Sequence, residues 1–266
     1  MSDLNVRGAR VVLRQRQFID VVDLAVRFVA LHGKPYAWLS LMVVLPSFLV
    51  TWAIGQGVDW AWAWVAVLGL LPLAGAPFTV LASRLMFTEQ VRLREVLLVT
   101  LHSLPRLVLA RILQTLAVGA ALVVLVLPAI WAQALLLFLP EVILLEQSAF
   151  FSAVTRAGRI AHAQVGNVAL AVILLALFVG GTPFLADAAG RMVLDNLLEV
   201  RPPDPLTVAG GSALSLFGLW AALPFVTTIR FLFYIDLRTR TEGWDIQTRF
   251  AAIAARSHQQ EQGVSV

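Results

Sequence analysis

A chain of 266 residues that is 59% apolar and only 14% charged has too little polar side chain to cover a water-soluble surface. Its 20 basic and 16 acidic residues leave a net charge of +4, too small a surplus to point to a nucleic-acid partner. The absence of cysteine excludes disulfides, thiolate metal sites and cysteine nucleophiles.

The opening run MSDLNVRGARVVLRQRQ lacks the basic-then-apolar layout of a cleavable signal, so the first span is expected to act as its own insertion signal. From Arg16 to Leu31, Phe18, Val21, Val22, Ala25, Phe28 and Val29 recur at helical spacing, and Arg16, Asp20, Asp23 and Arg27 stripe the other side. That pattern predicts an amphipathic helix at the membrane surface. Six stretches are then apolar enough to cross the roughly 30 Å of hydrocarbon: about 37–54, 60–82, 107–127, 129–147, 165–185 and 209–232. Trp60, Trp62 and Trp64 fall at the outer interface. Apolar sequence runs almost unbroken from Leu107 to Leu145, too long for one crossing. A hairpin is expected there, turning at Pro128 and Trp131–Gln133.

Two more surface helices are expected. Residues 89–104 place Leu93, Val96, Leu97, Leu101 and Leu104 on one face. Residues 148–162 set Phe150, Phe151, Val154 and Ile160 against Arg156, Arg159 and His162. Each of the three surface helices precedes an outward-going span, which suggests three units of interfacial helix plus hairpin. The loop at about 186–208 is acidic (Asp187, Asp195, Glu199, Asp204) and ends in Pro202, Pro203 and Pro205, with MVLDNLLEV able to form two helical turns.

The basic residues orient this map. Eighteen of the 20 fall on one side, including Arg111 in the second-to-third loop and Arg230 at the C-terminal end; only Arg191 and Arg201 fall opposite. The positive-inside rule makes the crowded side cytoplasmic. The expected fold is therefore an all-α, six-span transmembrane bundle with both termini and the interfacial amphipathic helices in the cytoplasm. Residues 1–36 form the tail and first amphipathic helix, 37–233 the membrane domain, and 234–266 a cytoplasmic C-terminal segment.

Glu141 and Glu146 are the only acids placed within or at the edge of hydrocarbon. A charge at the centre of a span costs about 2.5–3.5 kcal/mol on insertion scales, so both are functional candidates, Glu141 in a polar cavity beside Pro140. The plainer expectation is that both are shallow and pair with Arg106, Arg111 or Arg156. Arg156 and Arg159 are themselves candidate docking residues. Toward the C-terminus, YIDLRTRTEGWD offers two opposite-charge i, i+4 pairs, Asp236–Arg240 and Arg238–Glu242. Gly243 can end that helix and Asp245 can cap another, making a juxtamembrane clasp or docking surface.

His32, His102, His162 and His258 include no i, i+4 pair, so no metal site is expected. Gly210-Gly211-Ser212 finds no His or Asp partner in any predicted neighbouring span and reads as close helix packing. No phosphate-cradling loop occurs, and no cofactor or enzymatic activity is expected.

Three segments carry a resemblance. The stretches FIDVVDLAVRFVALHGKPYAWL, PEVILLEQSAFFSAVTRAGRI and YIDLRTRTEGWDI are spaced along nearly the whole chain. They resemble the bacterial six-span family named after the glycerophosphoryl diester phosphodiesterase membrane domain; Ala157 stands where a serine often follows the arginine. The phosphodiesterase chemistry of that name belongs to a separate barrel domain. The resemblance implies an integral protein of the bacterial inner membrane, and its setting beside AAA ATPases and envelope proteins implies an accessory role. The functional expectation is a non-enzymatic scaffold, its partners being the bilayer, anionic lipid at the cytoplasmic face and a membrane or cytoplasmic protein. The alternative is a small transporter or lipid-handling protein centred on Glu141.

Overall fold

The computed structural model describes residues 18–88 and 91–241. Among them the secondary structure is helical throughout: α1 (Phe18–Leu31), α2 (Gly33–Gly57), α3 (Trp60–Leu85), α4 (Leu93–Val124), α5 (Val126–Leu136), α6 (Leu139–Glu146), α7 (Phe150–His162), α8 (Val165–Asn196), α9 (Leu206–Ala209) and α10 (Ala213–Thr241). Six segments are long and apolar enough to cross a membrane: α2, α3, α4, α5 with α6, α8 and α10. The chain is a multi-pass membrane protein. An even number of crossings returns Phe18 and Thr241 to one face, where the Phe18 ring packs edge-on against Phe233 at 5.3 Å. We call this the near face; the tips at Gly57, Leu125 and Asn196 mark the far face.

The bundle is organised around α10, which packs against α8, α3, α2 and α1. Trp220, Phe231 and Tyr234 on α10 are almost wholly buried, as are Phe78 on α3 and Phe138 at the α5–α6 break. In contrast α2 and α4 keep most of their side chains outward, as helices facing acyl chains do. In α1 the anticipated face holds: Val21, Ala25, Phe28 and Val29 are buried while Asp20, Asp23 and Arg27 are exposed.

Four expectations are corrected. The segment at 89–104 is not a separate surface helix, because α4 runs unbroken from Leu93 through the membrane and Pro105 is absorbed within it. Its buried residues are Val96, Thr100, Ser103, Leu107, Ala110 and Gln114, and Leu101 is exposed. The hairpin turns at Leu125, in extended conformation, not at Pro128. Pro128 occupies the first turn of α5, where its missing N–H costs nothing, and Trp131–Gln133 are helical. The stretch MVLDNLLEV does not form a helix of its own, since α8 continues to Asn196. On α7 the buried stripe is Ala153, Ala157, Ile160 and Ala161, and Phe151 is 83% exposed. The small side chains let α7 lie close on α5 and α6, which brings Arg156 inward.

Prolines inside the spans leave carbonyls without their helical donor. The Leu68 carbonyl, freed by Pro72, accepts from Arg111 Nη2 at 3.0 Å. The Val179 carbonyl, freed by Pro183, accepts from Thr182 Oγ1 at 2.9 Å. In hydrocarbon an unsatisfied carbonyl costs several kcal/mol, so these side chains are part of the helix backbone's own accounting.

Candidate functional site

The ionisable residues of the bundle gather in a seam between α10, α6 and α7, in three tiers rising toward the near face. In the deepest, Glu141 is 1% exposed; its Oε2 accepts from Arg230 Nη2 at 3.0 Å, and Oε1 stands 2.9 Å from the same nitrogen in an ion pair. The same nitrogen reaches the Leu137 carbonyl at 2.8 Å. That carbonyl lies at the α5–α6 break, where Pro140 stands in the first turn of α6 and the regular hydrogen-bond ladder is interrupted. Glu141 is about 8 Å along the helix from Glu146, so the pair sits inside the membrane-crossing layer.

The middle tier centres on Glu146. Its carboxylate pairs with Arg156 of α7 and with Arg238 of α10 at 3.4 Å, and accepts from the Tyr234 hydroxyl at 2.7 Å. Behind it the α6 C-terminus ends at Gln147 in the left-handed conformation, and Arg106 donates to the Gln147 and Ser148 carbonyls at 3.2 and 3.4 Å. A cation at a helix C-terminus also meets the negative end of the macrodipole. In the outermost tier Asp236 pairs with Arg240 at 2.6 Å, as the i, i+4 spacing predicts. Arg240 Nη1 donates to Gln164 Oε1 at 3.3 Å, and Asn167 Nδ2 donates to the same oxygen at 3.0 Å.

Of the anticipated site residues, the structure thus brings together Glu141, Glu146, Arg156, Asp236, Arg238 and Arg240. Arg159 is exposed on α7 and takes no part in the seam. Glu242 and Asp245 lie outside the described residues, as do Gly243 and the helix Asp245 was expected to cap. The pairing expected of Glu141 is corrected: its partner is Arg230, not Arg106, Arg111 or Arg156, and it is buried, not shallow. Arg111 and Arg230 are likewise interior residues of α4 and α10, not loop or terminal ones. The signal for Arg230 was present. If the last span is extended through the Asp236–Arg240 pair as one helix, Arg230 becomes a membrane-depth charge.

A second polar site closes the far face, and it corrects the reading of Ser212. Ser212 does have an acidic partner: its hydroxyl donates to Asp187 Oδ1 of α8 at 2.5 Å. Asp187 Oδ2 accepts from the Leu206 backbone N–H at 3.1 Å, so the carboxylate ties α8 to the segment before α9. Ser212 Oγ in turn accepts from the Ser215 N–H at 3.0 Å, while Ser215 Oγ accepts from the Ser212 N–H at 2.9 Å. This is a reciprocal cap on the first turn of α10. The Ser-x-x-Ser spacing encodes the cap. Asp187 was hidden because α8 runs further than its apolar stretch. No histidine joins this pair in the described contacts, and the serine hydroxyl has hydrogen-bonding roles at both ends, donating to Asp187 and accepting from Ser215.

Among the described residues no group of three His, Asp or Glu side chains stands close enough to hold a metal. Every carboxylate of the seam is met by an arginine. Chemically this arrangement is a set of struts, the two deeper tiers joining α10 to α6 and α7 and the outermost pair lying along α10 itself. Comparison with protein-family models, with curated proteins and with solved structures returns no match in any of the three.

Proposed function

We propose that this protein is a non-enzymatic scaffold or accessory subunit of an envelope-associated complex, inserted in a bacterial cytoplasmic membrane with its near face toward the cytoplasm. Kinship with the six-span family named above belongs to the same proposal, supported by the three quoted segments and by six spans. The observation that carries it is the closure of Glu141. A transporter's intramembrane acid faces a wet cavity where its charge can be exchanged. Glu141 instead packs at 1% exposure against a guanidinium that also satisfies a backbone carbonyl. The seam holds α6, α7 and α10 in one rigid arrangement, and the exposed charges of α1 and Arg159 of α7 remain on the near face for a protein partner or for anionic lipid.

The deciding experiment exchanges charge for shape. With the pair as a strut, Glu141→Gln together with Arg230→Gln preserves hydrogen bonding and removes both charges. The double variant then complements a deletion strain as well as the wild type, at equal protein level. Complementation as poor as the deletion itself, with normal folding and abundance, refutes the scaffold and promotes transport through Glu141. Orientation is tested on the cysteine-free background. Gly57→Cys and Asn196→Cys react with an impermeant maleimide in intact cells, whereas Arg92→Cys does not; labelling of Arg92→Cys from outside reverses the assignment.

A further inference from the structure

Beside the seam, and independent of the scaffold reading, a cavity of about 860 Å³ opens sideways between α1, α8 and α10. Its walls are Ile19, Val22 and Val26 of α1 against Leu170, Leu174 and Phe178 of α8. Phe225, Ile229 and Phe233 of α10 form the floor, and Gln164, Asn167 and Arg240 stand together at the near-face end. We propose that this trough binds one glycerophospholipid of the adjoining leaflet, its acyl chain in the apolar channel and its phosphodiester on the Gln164–Asn167–Arg240 cluster.

Three observations converge on that occupant. First, Ile19, Val26, Leu174 and Phe178 are 68%, 48%, 41% and 47% exposed, and at membrane depth the medium that covers such surface is hydrocarbon. Second, the dimensions fit one leaflet: Gln164 to Phe178 spans about 21 Å of helix, against about 15 Å for half the hydrocarbon plus the headgroup layer. Third, the cluster presents donors. Gln164 Oε1 is already taken by Arg240 and Asn167, which leaves the Gln164 amide N–H groups as hydrogen-bonding capacity for an incoming acceptor. Because Arg240 is partnered by Asp236, the site recognises an oxygen-rich phosphodiester through directed hydrogen bonds more than through net charge. The α1 wall, packed against α10, is what separates this trough from ordinary lipid-facing surface.

The test uses the full chain in vesicles of phosphatidylcholine and phosphatidylglycerol containing a phosphatidylglycerol with a photoactivatable acyl chain. After irradiation, cross-links are mapped by peptide mass spectrometry, and bound lipid is counted by native mass spectrometry after detergent extraction. The expected result is one retained phospholipid per chain, with cross-links concentrated on α1 and on Leu170–Phe178. Leu174→Trp fills the channel, and Gln164→Glu keeps the acceptor for Arg240 while replacing the donor by a repelling charge. Each is expected to lower retention by about tenfold, the equivalent of roughly 1.4 kcal/mol. Leu116→Trp on the exposed face of α4 leaves retention unchanged and controls for general lipid contact. Both trough variants are required to show wild-type thermal unfolding; should Gln164→Glu unfold, Gln164→Leu replaces it. Absence of retained lipid, equal retention in the trough variants, or cross-links spread evenly over α2 and α4 overturns the proposal. Loss in Leu174→Trp alone overturns the phosphodiester contact.

Discussion

The two halves of the bundle solve the same problem by different means. Toward the near face, α10 is joined to its neighbours by charge: Arg230 to Glu141, Arg238 to Glu146, and Arg240 to Gln164. Toward the far face it is joined by the absence of side chain. Gly218 lies against Ala186 and the Thr182 carbonyl of α8, and Gly211, just before α10, lies under the Trp60 indole. Neutral hydrogen bonds finish that half, from Trp220 to Thr51 at 3.0 Å and from Gln114 to Gln133 at 3.1 Å. Lipid supplies no hydrophobic force between helices, so association needs either close backbone approach or polar pairing. Close approach gives many small, short-range contacts. Charge pairs act over a longer distance and select partners, but each half of a pair is a liability without the other.

That difference predicts how each half breaks. The largest effect is expected in the charged half. Glu141→Gln strands Arg230 in the bundle and is expected to lower stability by about 3–5 kcal/mol, measured by unfolding in mixed detergent micelles. Removing both charges, with Glu141→Gln and Arg230→Gln, is expected to recover most of that loss. A single variant no more costly than the double one means the pair is not a strut.

In the close-packed half, Gly218→Ala adds a Cβ that meets Ala186 and comes within 2.6 Å of the Thr182 carbonyl oxygen. Overpacking of this kind is expected to cost about 1–3 kcal/mol. Gly180→Ala on the same helix as Thr182 meets nothing within 4 Å and serves as the neutral comparison. Equal behaviour of the two glycine variants shows that α8 and α10 are not in the contact described.

The Asp187 site tests whether the far half depends on charge at all. Asp187→Asn keeps an acceptor for the Leu206 N–H and turns an amide donor toward the Ser212 hydroxyl oxygen, so the loss is expected to stay below about 1 kcal/mol. Asp187→Ala leaves the buried Ser212 hydroxyl and the Leu206 N–H without an acceptor, at about 1–3 kcal/mol. A loss in Asp187→Asn as large as that in Asp187→Ala means that both carboxylate oxygens are needed as acceptors. The smallest effect belongs to the exposed Arg27–Asp23 pair of α1, whose side chains are 76% and 60% exposed. Arg27→Ala is expected to change stability by no more than about 0.5 kcal/mol.

Much of this protein is legible one segment at a time. Six crossings follow from runs of apolar residues, because transfer into hydrocarbon is close to additive along a helix and needs no knowledge of neighbours. The buried face of α1 follows from its helical period, and the Asp236–Arg240 pair from its i, i+4 spacing, since both partners ride on one helix. What tertiary structure alone decided is which helix stands beside which. Glu141 finds Arg230 across a gap of 89 residues, Ser212 finds Asp187 across 25, and Arg156 turns inward because Ala153 and Ala157 bring α7 against Glu146. Length and local pattern also misplaced the joints. Residues 93–104 are the first turns of α4 and the hairpin turns at Leu125, because a helix persists wherever its backbone hydrogen bonds can be kept and both sides of the turn are equally apolar. Hydrophobicity is a property each residue carries with it, and it draws the crossings. Charge pairing and close approach are properties of two surfaces that must first meet, and only the folded bundle brings them together.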